Sequence, residues 1–441
     1  MRPSSRTVRA TVLTLAATLL AGPLALGPAA LADSEAPGLE RPYGDELEPG
    51  TSFSDTAEVG PGTYTLNVPA EGEDHYFEIP RTDPDAVIWY GVTLQLEDTA
   101  DELSSFTVEG TAEGDSTVPC NSSFVETGEL SYITALFSAN RTGECRAADS
   151  ITLRIANGSL GEDGEALPTD AFYQLVVWTE PPVEDTSQLP APNENSPWVP
   201  VEETEAEPTP VEGARTFTDA EDLADGYYSV TVEKGRPSIF AFPLTYGQHV
   251  QVLAENDGAA DTFETLDAVW VSPLGGRLRD VEPSGGPGSG LGLARGDQAG
   301  WSTPIVTYTN RQRAGGVGAS QGGTGFGQIQ AAPAAFAGTY YLVVELPRTF
   351  SDPFPDELPL LLDVRTITDY EGSPPDYATE PAALQSLDGS GYVATEEERQ
   401  EAQEADAEPA PWLLVVGLFA GAAVLAAVGG VAVGRVVRSR S

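Results

Sequence analysis

The 441-residue chain carries 68 acidic residues against 22 basic ones, a formal charge of −46. Such a surface repels nucleic acid and anionic lipid and attracts cations and basic partners. Two cysteines and two histidines are too few ligands for a zinc-finger-like site, and no nucleic-acid partner is expected.

The first segment reads as an export signal. Arg2, Arg6 and Arg9 precede an apolar run broken by Gly22, Pro23, Gly27 and Pro28, and Ala30-Leu31-Ala32 forms a small-x-small cleavage site. The expected signal peptide is 1–32, with the cut between Ala32 and Asp33. Six of the 22 basic residues lie in the two terminal segments. The part between them therefore holds 16 basic residues against all 68 acidic ones, about −52. Cys120 and Cys145, both in the exported part, most simply form one disulfide in an oxidising compartment.

The next stretches form an internal repeat. Thr51-Ser52-Phe53-Ser54-Asp55 aligns with Arg215-Thr216-Phe217-Thr218-Asp219, and Gly62–Val68 with Gly226–Val232. His75-Tyr76-Phe77-Glu78-Ile79-Pro80 falls on Ser238-Ile239-Phe240-Ala241-Phe242-Pro243, and Tyr173–Val177 on Tyr340–Val344. The matched blocks alternate apolar and polar residues with the period of a half-buried strand. Ser105–Gly110, Leu130–Phe137, Ser150–Ile155, Ala268–Ser272, Pro304–Tyr308 and Leu358–Thr366 are further strand candidates. Short strands, many Gly and Pro turns and no long amphipathic helix point to an all-β chain. The expectation is two tandem β-sandwich, jelly-roll-like domains over 33–180 and 213–370.

Between them, 181–212 is rich in proline and acid and reads as an extended spacer, with Trp198 and Val199 able to pack on a domain. Residues 371–411 read as a loosely ordered acidic stalk. Trp412 to Gly434, 23 residues without a charge, is long enough to cross a bilayer as a helix. Trp412 suits the outer interface, and Arg435, Arg438 and Arg440 mark 435–441 as a cytoplasmic basic tail. No LPxTG-like pentapeptide precedes the span, so the expected state is a retained, single-pass type I membrane protein with its bulk outside the cell.

The pattern Phe-x-Asp, Gly-x-Tyr and Tyr-Phe-x-Ile-Pro, with the later Gly338-Thr339-Tyr340-Tyr341-Leu342-Val343-Val344, resembles the pre-peptidase C-terminal (PPC) β-sandwich domain. The layout resembles actinobacterial membrane-anchored surface proteins with tandem domains of this kind, and the scarcity of lysine (Lys234 alone) fits a GC-rich genome. The resemblance implies a non-catalytic accessory or binding module. It also implies an envelope or surface protein partner, such as a von Willebrand A-domain protein. It carries over no functional residue.

Candidate chemistry is sparse. Gly318-Ala319-Ser320-Gln321-Gly322 has the spacing of a nucleophile elbow, but it lies in a glycine-rich stretch rather than between a strand and a helix. His75 and His249, the only candidate bases, sit in strand patterns. Asn256-Asp257-Gly258 with Asp261, and Asp83 with Asp85, are weak calcium candidates; calcium wants six to eight oxygens, and turn chemistry explains both. The run Gly288-Ser289-Gly290-Leu291-Gly292 fits no nucleotide-binding spacing. Asn121, Asn140 and Asn157 stand in N-x-[ST] sequons read as chance matches. The function expected is therefore a non-enzymatic binding or assembly protein of the bacterial envelope, without a cofactor. The alternatives are an accessory ectodomain of a secreted peptidase or hydrolase system, and a calcium-stabilised adhesin.

Overall fold

The computed structural model describes residues 41–392 apart from 97–103, 113–114, 127–130, 140–142, 160–165, 193–195, 202–205, 259–264, 267, 279–284, 313–331, 347–354, 369 and 371. The expected signal peptide, membrane span and tail lie outside them. Among the described residues no helix is long and apolar enough to cross a membrane.

The described chain is all-β. Its first half supplies β1 (Gly62–Asn67), β2 (Asp74–Pro80), β3 (Val87–Gln95), β4 (Ser104–Ala112), β5 (Asp115–Glu126), β6 (Tyr132–Ser138), β7 (Ser150–Ser159) and β8 (Phe172–Glu180). They pair in the orders β1-β8-β3-β6 and β2-β7-β4-β5. Short strands Asp45–Glu46 and Ala57–Glu58 run parallel to β1 and β2 at the edges. The second half supplies β9 (Gly226–Glu233), β10 (Ser238–Leu244), β11 (His249–Asn256), β12 (Ala268–Val271), β13 (Arg277–Leu278), β14 (Gln298–Ser302), β15 (Gly338–Val344) and β16 (Glu357–Ile367). Their orders, β9-β16-β11-β14 and β10-β15-β12-β13, repeat those of the first half strand for strand. Eight strands ordered 1-8-3-6 against 2-7-4-5 make a double-sheet jelly roll. Edge details repeat too. Gly50 bridges Tyr76 as Ala214 bridges Ile239, and Thr209–Pro210 runs parallel to β9 as Asp45–Glu46 does to β1.

Alternation produces the two cores. Ile88, Tyr90, Val92 and Leu94 of β3 meet Phe77, Ile79, Phe106, Leu153 and Ile155 from the facing sheet. Val250, Val252 and Ala254 of β11 likewise meet Phe240, Phe242, Tyr340 and Leu342. Cys120 on β5 and Cys145 on the one-turn helix Gly143–Ala147 are joined by a disulfide inside the first core.

The two sandwiches are packed directly on each other. In β3 and β8 nearly every residue is buried, and all of β15 is, so these strands have a second covered face. A third apolar cluster fills the space between sheets β1-β8-β3-β6 and β10-β15-β12-β13. It combines Trp89, Tyr132, Val176 and Trp178 with Phe217, Ile239, Tyr341 and Val343. The sheets approach so closely that a Cβ on Gly91 would lie 1.8 Å from the Leu274 carbonyl oxygen.

Several expectations are corrected here. β15 takes the place of β7, and β16 that of β8, so Tyr173–Val177 of β8 is not the counterpart of Tyr340–Val344 of β15; both are apolar runs buried on two faces, which is why they look alike. The described part of 181–212 lies along the sandwiches rather than standing free as a spacer, and the expected packing of Val199 on a domain is found. Val183 bridges Tyr377, Ser196 is buried with its hydroxyl on the Thr303 carbonyl, and Val199 exchanges two hydrogen bonds with the Gln251 side chain. Residues 372–392, the front of the expected stalk, turn back into the seam, where Leu384 and Leu387 are buried. Pro304–Tyr308 is not a strand; the ladder ends at Ser302, and Pro304 has no N–H to extend it. The long edge strand β5 and the two-residue β13 were not anticipated.

Candidate functional site

In the stack of four sheets, three interlayers are filled. The outer face of β9-β16-β11-β14 carries the 196–201 segment through Val199 and Gln251. The outer face of β2-β7-β4-β5 is half-buried, with Asp74 and Glu78 on β2, Arg154 on β7, and Thr107 and Glu109 on β4 around Tyr76 and Thr152, which are buried.

This face has a built centre. Register places Arg154 between Tyr76 and Glu109. Its Nε donates to Asp74 Oδ2 at 2.7 Å and one terminal nitrogen donates to Glu109 Oε2 at 2.8 Å. Asp74 holds the guanidinium above its ordinary pKa against partial desolvation, with Glu109 adding to the effect. The Tyr76 hydroxyl donates to the same Asp74 oxygen at 3.0 Å, and burial, then Asp74, raises its pKa. Phe53 lies edge-on to Tyr76, ring centroids 4.9 Å apart. At 37% exposure Phe53 is one of two exposed large hydrophobic residues among those described, the other being Tyr43. Beside them Glu58 stands in register with Glu78 on the neighbouring edge strand.

A second polar centre lies inside the seam. Glu180 is 1% exposed. It accepts from Trp89 Nε1 at 2.7 Å, from the Tyr377 hydroxyl at 3.1 Å and from the Arg311 guanidinium. Arg311 stacks 3.7 Å over the Tyr308 ring and lies near Phe336 and Trp89. Burial opposes its charge, and Glu180 and the surrounding tyrosines hold its pKa above the ordinary value. Every group here is turned inward and paired, which makes this a structural clamp.

The candidates from the sequence fall elsewhere. Ser320, Asp261 and Asn140 lie outside the described residues. His75 Nδ1 meets the Tyr173 hydroxyl at 2.8 Å, and burial lowers its pKa to about 4. His249 is fully buried beside Tyr370 and its pKa is likewise lowered by burial to about 4. Asp257 pairs with Arg295 at 2.8 Å, and the Asn256 carboxamide accepts from the Gly258 N–H. Asp83 accepts from the Asp85 N–H in the same turn geometry. Among the described residues no three His, Cys, Asp or Glu side chains converge on a common point. The Asn121 and Asn157 side chains are buried and hydrogen-bonded inside the first sandwich. The outer-face centre was missed because its members are scattered over β2, β4 and β7. Phe53 and Tyr76 did stand in the repeat motifs, without a sign of which would be exposed.

No family model and no curated protein matches the chain. Solved structures with some likeness include the N-terminal CBM22-1-CBM22-2 tandem domain of Paenibacillus barcinonensis Xyn10C. It is 10% identical over 70% of this chain and 87% of that one, with a TM-score of 0.19. The tandem CBM51 modules of Sp3GH98 from Streptococcus pneumoniae SP3-BS71 are 8% identical over 73% and 89%, TM-score 0.20. The ANXUR2 extracellular domain of Arabidopsis thaliana is 9% identical over 72% and 87%, TM-score 0.18. At these scores the likenesses carry no argument, and the PPC resemblance rests on the quoted motifs alone.

Proposed function

We propose that this chain is a non-catalytic binding or assembly protein of the bacterial envelope, held by a single C-terminal span with its two jelly rolls outside the cell. The observation that carries the reading is the seam. An apolar layer, a buried Glu180–Arg311 pair and the folded-back segment 372–392 join the sandwiches, which makes a stiff body suited to presenting a surface. The polar groups at its centres are engaged with one another rather than poised for proton transfer. The acidic surface and the disulfide suit an extracytoplasmic setting. Affinity capture with the full-length chain from native membranes, across a range of salt, tests the reading; the expected result is recovery of one envelope protein in stoichiometric amount. Hydrolysis of peptide, ester or glycoside substrates by the purified chain, abolished by Ser320→Ala, would overturn it.

A further inference from the structure

The repeat lets one face of the protein be compared with its own counterpart. In the second sandwich, the outer face of β10-β15-β12-β13 is the docking face of the seam. Phe217 is its anchor, fully buried and edge-on to Tyr341 at 5.1 Å and Tyr132 at 6.3 Å. Around Phe217, the register aligns Ile239 with Val343 and Val343 with Val269, and Ala241 with Tyr341. The equivalent positions of the first sandwich are Tyr76, Arg154 and Glu109, and Glu78 with Thr152. Thus an apolar, fully covered surface in one repeat is a charged one in the other, where Glu78, Arg154 and Glu109 are half-buried around the buried Tyr76 and Thr152, and Phe53, the counterpart of Phe217, is retained and partly exposed.

Two features of this face go beyond what solvent exposure requires. Phe53 packs its edge against Tyr76 yet keeps 37% of its surface in contact with solvent, where its counterpart Phe217 is fully covered. Glu58 and Glu78 stand in register across paired parallel strands, with Glu78 accepting from the Thr56 hydroxyl at 3.3 Å, so two carboxylates share one side of the sheet. At the corresponding pair of the second repeat, Asp222 stands opposite Ala241 and there is a single carboxylate. Four carboxylates, Glu58, Asp74, Glu78 and Glu109, surround the aromatic pair, with Arg154 already bound to two of them.

We infer that the outer face of β2-β7-β4-β5 docks another protein through a surface bearing lysine or arginine side chains around an apolar notch. Phe53 enters the notch, as Phe217 does in the seam, and a cationic side chain lies between Glu58 and Glu78. The mixed aromatic and charged composition suits a reversible contact, in contrast to the apolar seam. This inference rests on the binding reading above and assigns its surface and the chemistry of its partner.

The test replaces Phe53 by a photo-crosslinking phenylalanine derivative in the full-length chain, in the cells that produce it, with the same derivative at Arg295 on the second sandwich as the control. The expected result is one protein captured from position 53 and not from 295, through a peptide carrying Lys or Arg. Its yield should fall at least tenfold in an E58Q/E78Q background, while that variant melts at or above the wild-type temperature. Equal capture from both positions overturns the surface assignment but leaves the binding reading standing. So does a cross-linked peptide without basic residues whose yield is indifferent to E58Q/E78Q. Absence of cross-links at either position, with no partner recovered by affinity capture, removes the binding reading and this inference with it. A calcium-induced rise in melting temperature that E58Q/E78Q abolishes would make the pair a metal site, and would overturn the protein-partner assignment.

Discussion

At the scale of single residues, Gln174 shows how a buried side chain can organise distant parts of the chain. It is 1% exposed, and its Nε2 donates to the Tyr43 carbonyl at 2.8 Å and to the Leu387 carbonyl at 2.9 Å. One amide group thereby ties the first described residues and the last ones to the same strand. Tyr43 also lies against Gly389, whose φ of +83° and missing side chain permit the approach; a Cβ there would come within 2.5 Å of the ring. Gln174→Ala should lower stability by about 1–3 kcal/mol by taking the side-chain donor from the Leu387 carbonyl, while the Tyr43 carbonyl keeps the Thr65 hydroxyl at 2.7 Å; chemical denaturation measures it. The histidines make a pH prediction. Both have pKa values near 4 in the folded chain, from burial, against about 6.5 unfolded. Their contribution to stability is complete above pH 6.5. It is lost as pH falls towards 4, because the unfolded chain takes up protons that the native chain refuses. Among the described residues, neither ring nitrogen of His249 has a hydrogen-bond partner. His249→Phe should therefore melt no lower at pH 7 and should flatten the decline between pH 6.5 and 5. A steeper decline would mean that other groups govern it.

At the scale of elements, the strands most readable in the sequence were those with one face in a core and one in water. Ser150–Ser159 was readable as a strand for that reason, and the repeat could be aligned through Gly62–Asn67, whose polar Thr63 and Thr65 keep the alternation although they are buried. β5 was hidden because it is an edge strand of polar residues with Pro119 inside it, tolerable only where one side of the ladder needs no donor. Pro304–Tyr308 misled because Ile305 and Val306 are buried as extended chain rather than as part of a ladder. β3 and β8 held an unused clue: their near-continuous apolar runs signal burial on both faces, which only a second sheet outside the sandwich can supply. The disulfide was legible from two cysteines in an exported chain, and its partners are now placed. It closes a separation of 25 residues between the edge strand β5 and the helix Gly143–Ala147. By the chain-entropy relation it should stabilise by about 3 kcal/mol. Cys120→Ser/Cys145→Ser should lower the melting temperature accordingly, and an unchanged midpoint would show that packing alone holds the helix in place.

At the scale of the whole molecule, the seam decides whether the two jelly rolls behave as one body. Beyond the two-sided burial that β3 and β8 signal, its partners could not be read from the sequence, because they come from β10, β15, the 3-10 turn Tyr308–Gln312 and the segment 372–392. Its polar centre is also costly to disturb. Glu180 and Arg311 are both withdrawn from water, with side chains 1% and 11% exposed, so removing either leaves the other as an uncompensated buried charge. Arg311→Leu should cost about 3–5 kcal/mol, felt at the junction rather than within either core. Calorimetry of the wild type should show one cooperative transition. Arg311→Leu should divide it into two, since each sandwich keeps its own core while losing the contact that couples their unfolding. Glu180→Leu together with Arg311→Leu should recover part of the loss, because it removes both buried charges and their desolvation cost, although the Trp89 indole N–H and the Tyr377 hydroxyl lose their acceptor. A single unshifted transition in Arg311→Leu would show that the apolar layer couples the domains without help. A double variant weaker than the single would show that the ion pair adds more than its burial costs. In the first case, the stiffness that holds Phe53 at a fixed distance from the second sandwich would come from the apolar layer alone; in the second, the ion pair would be its main source.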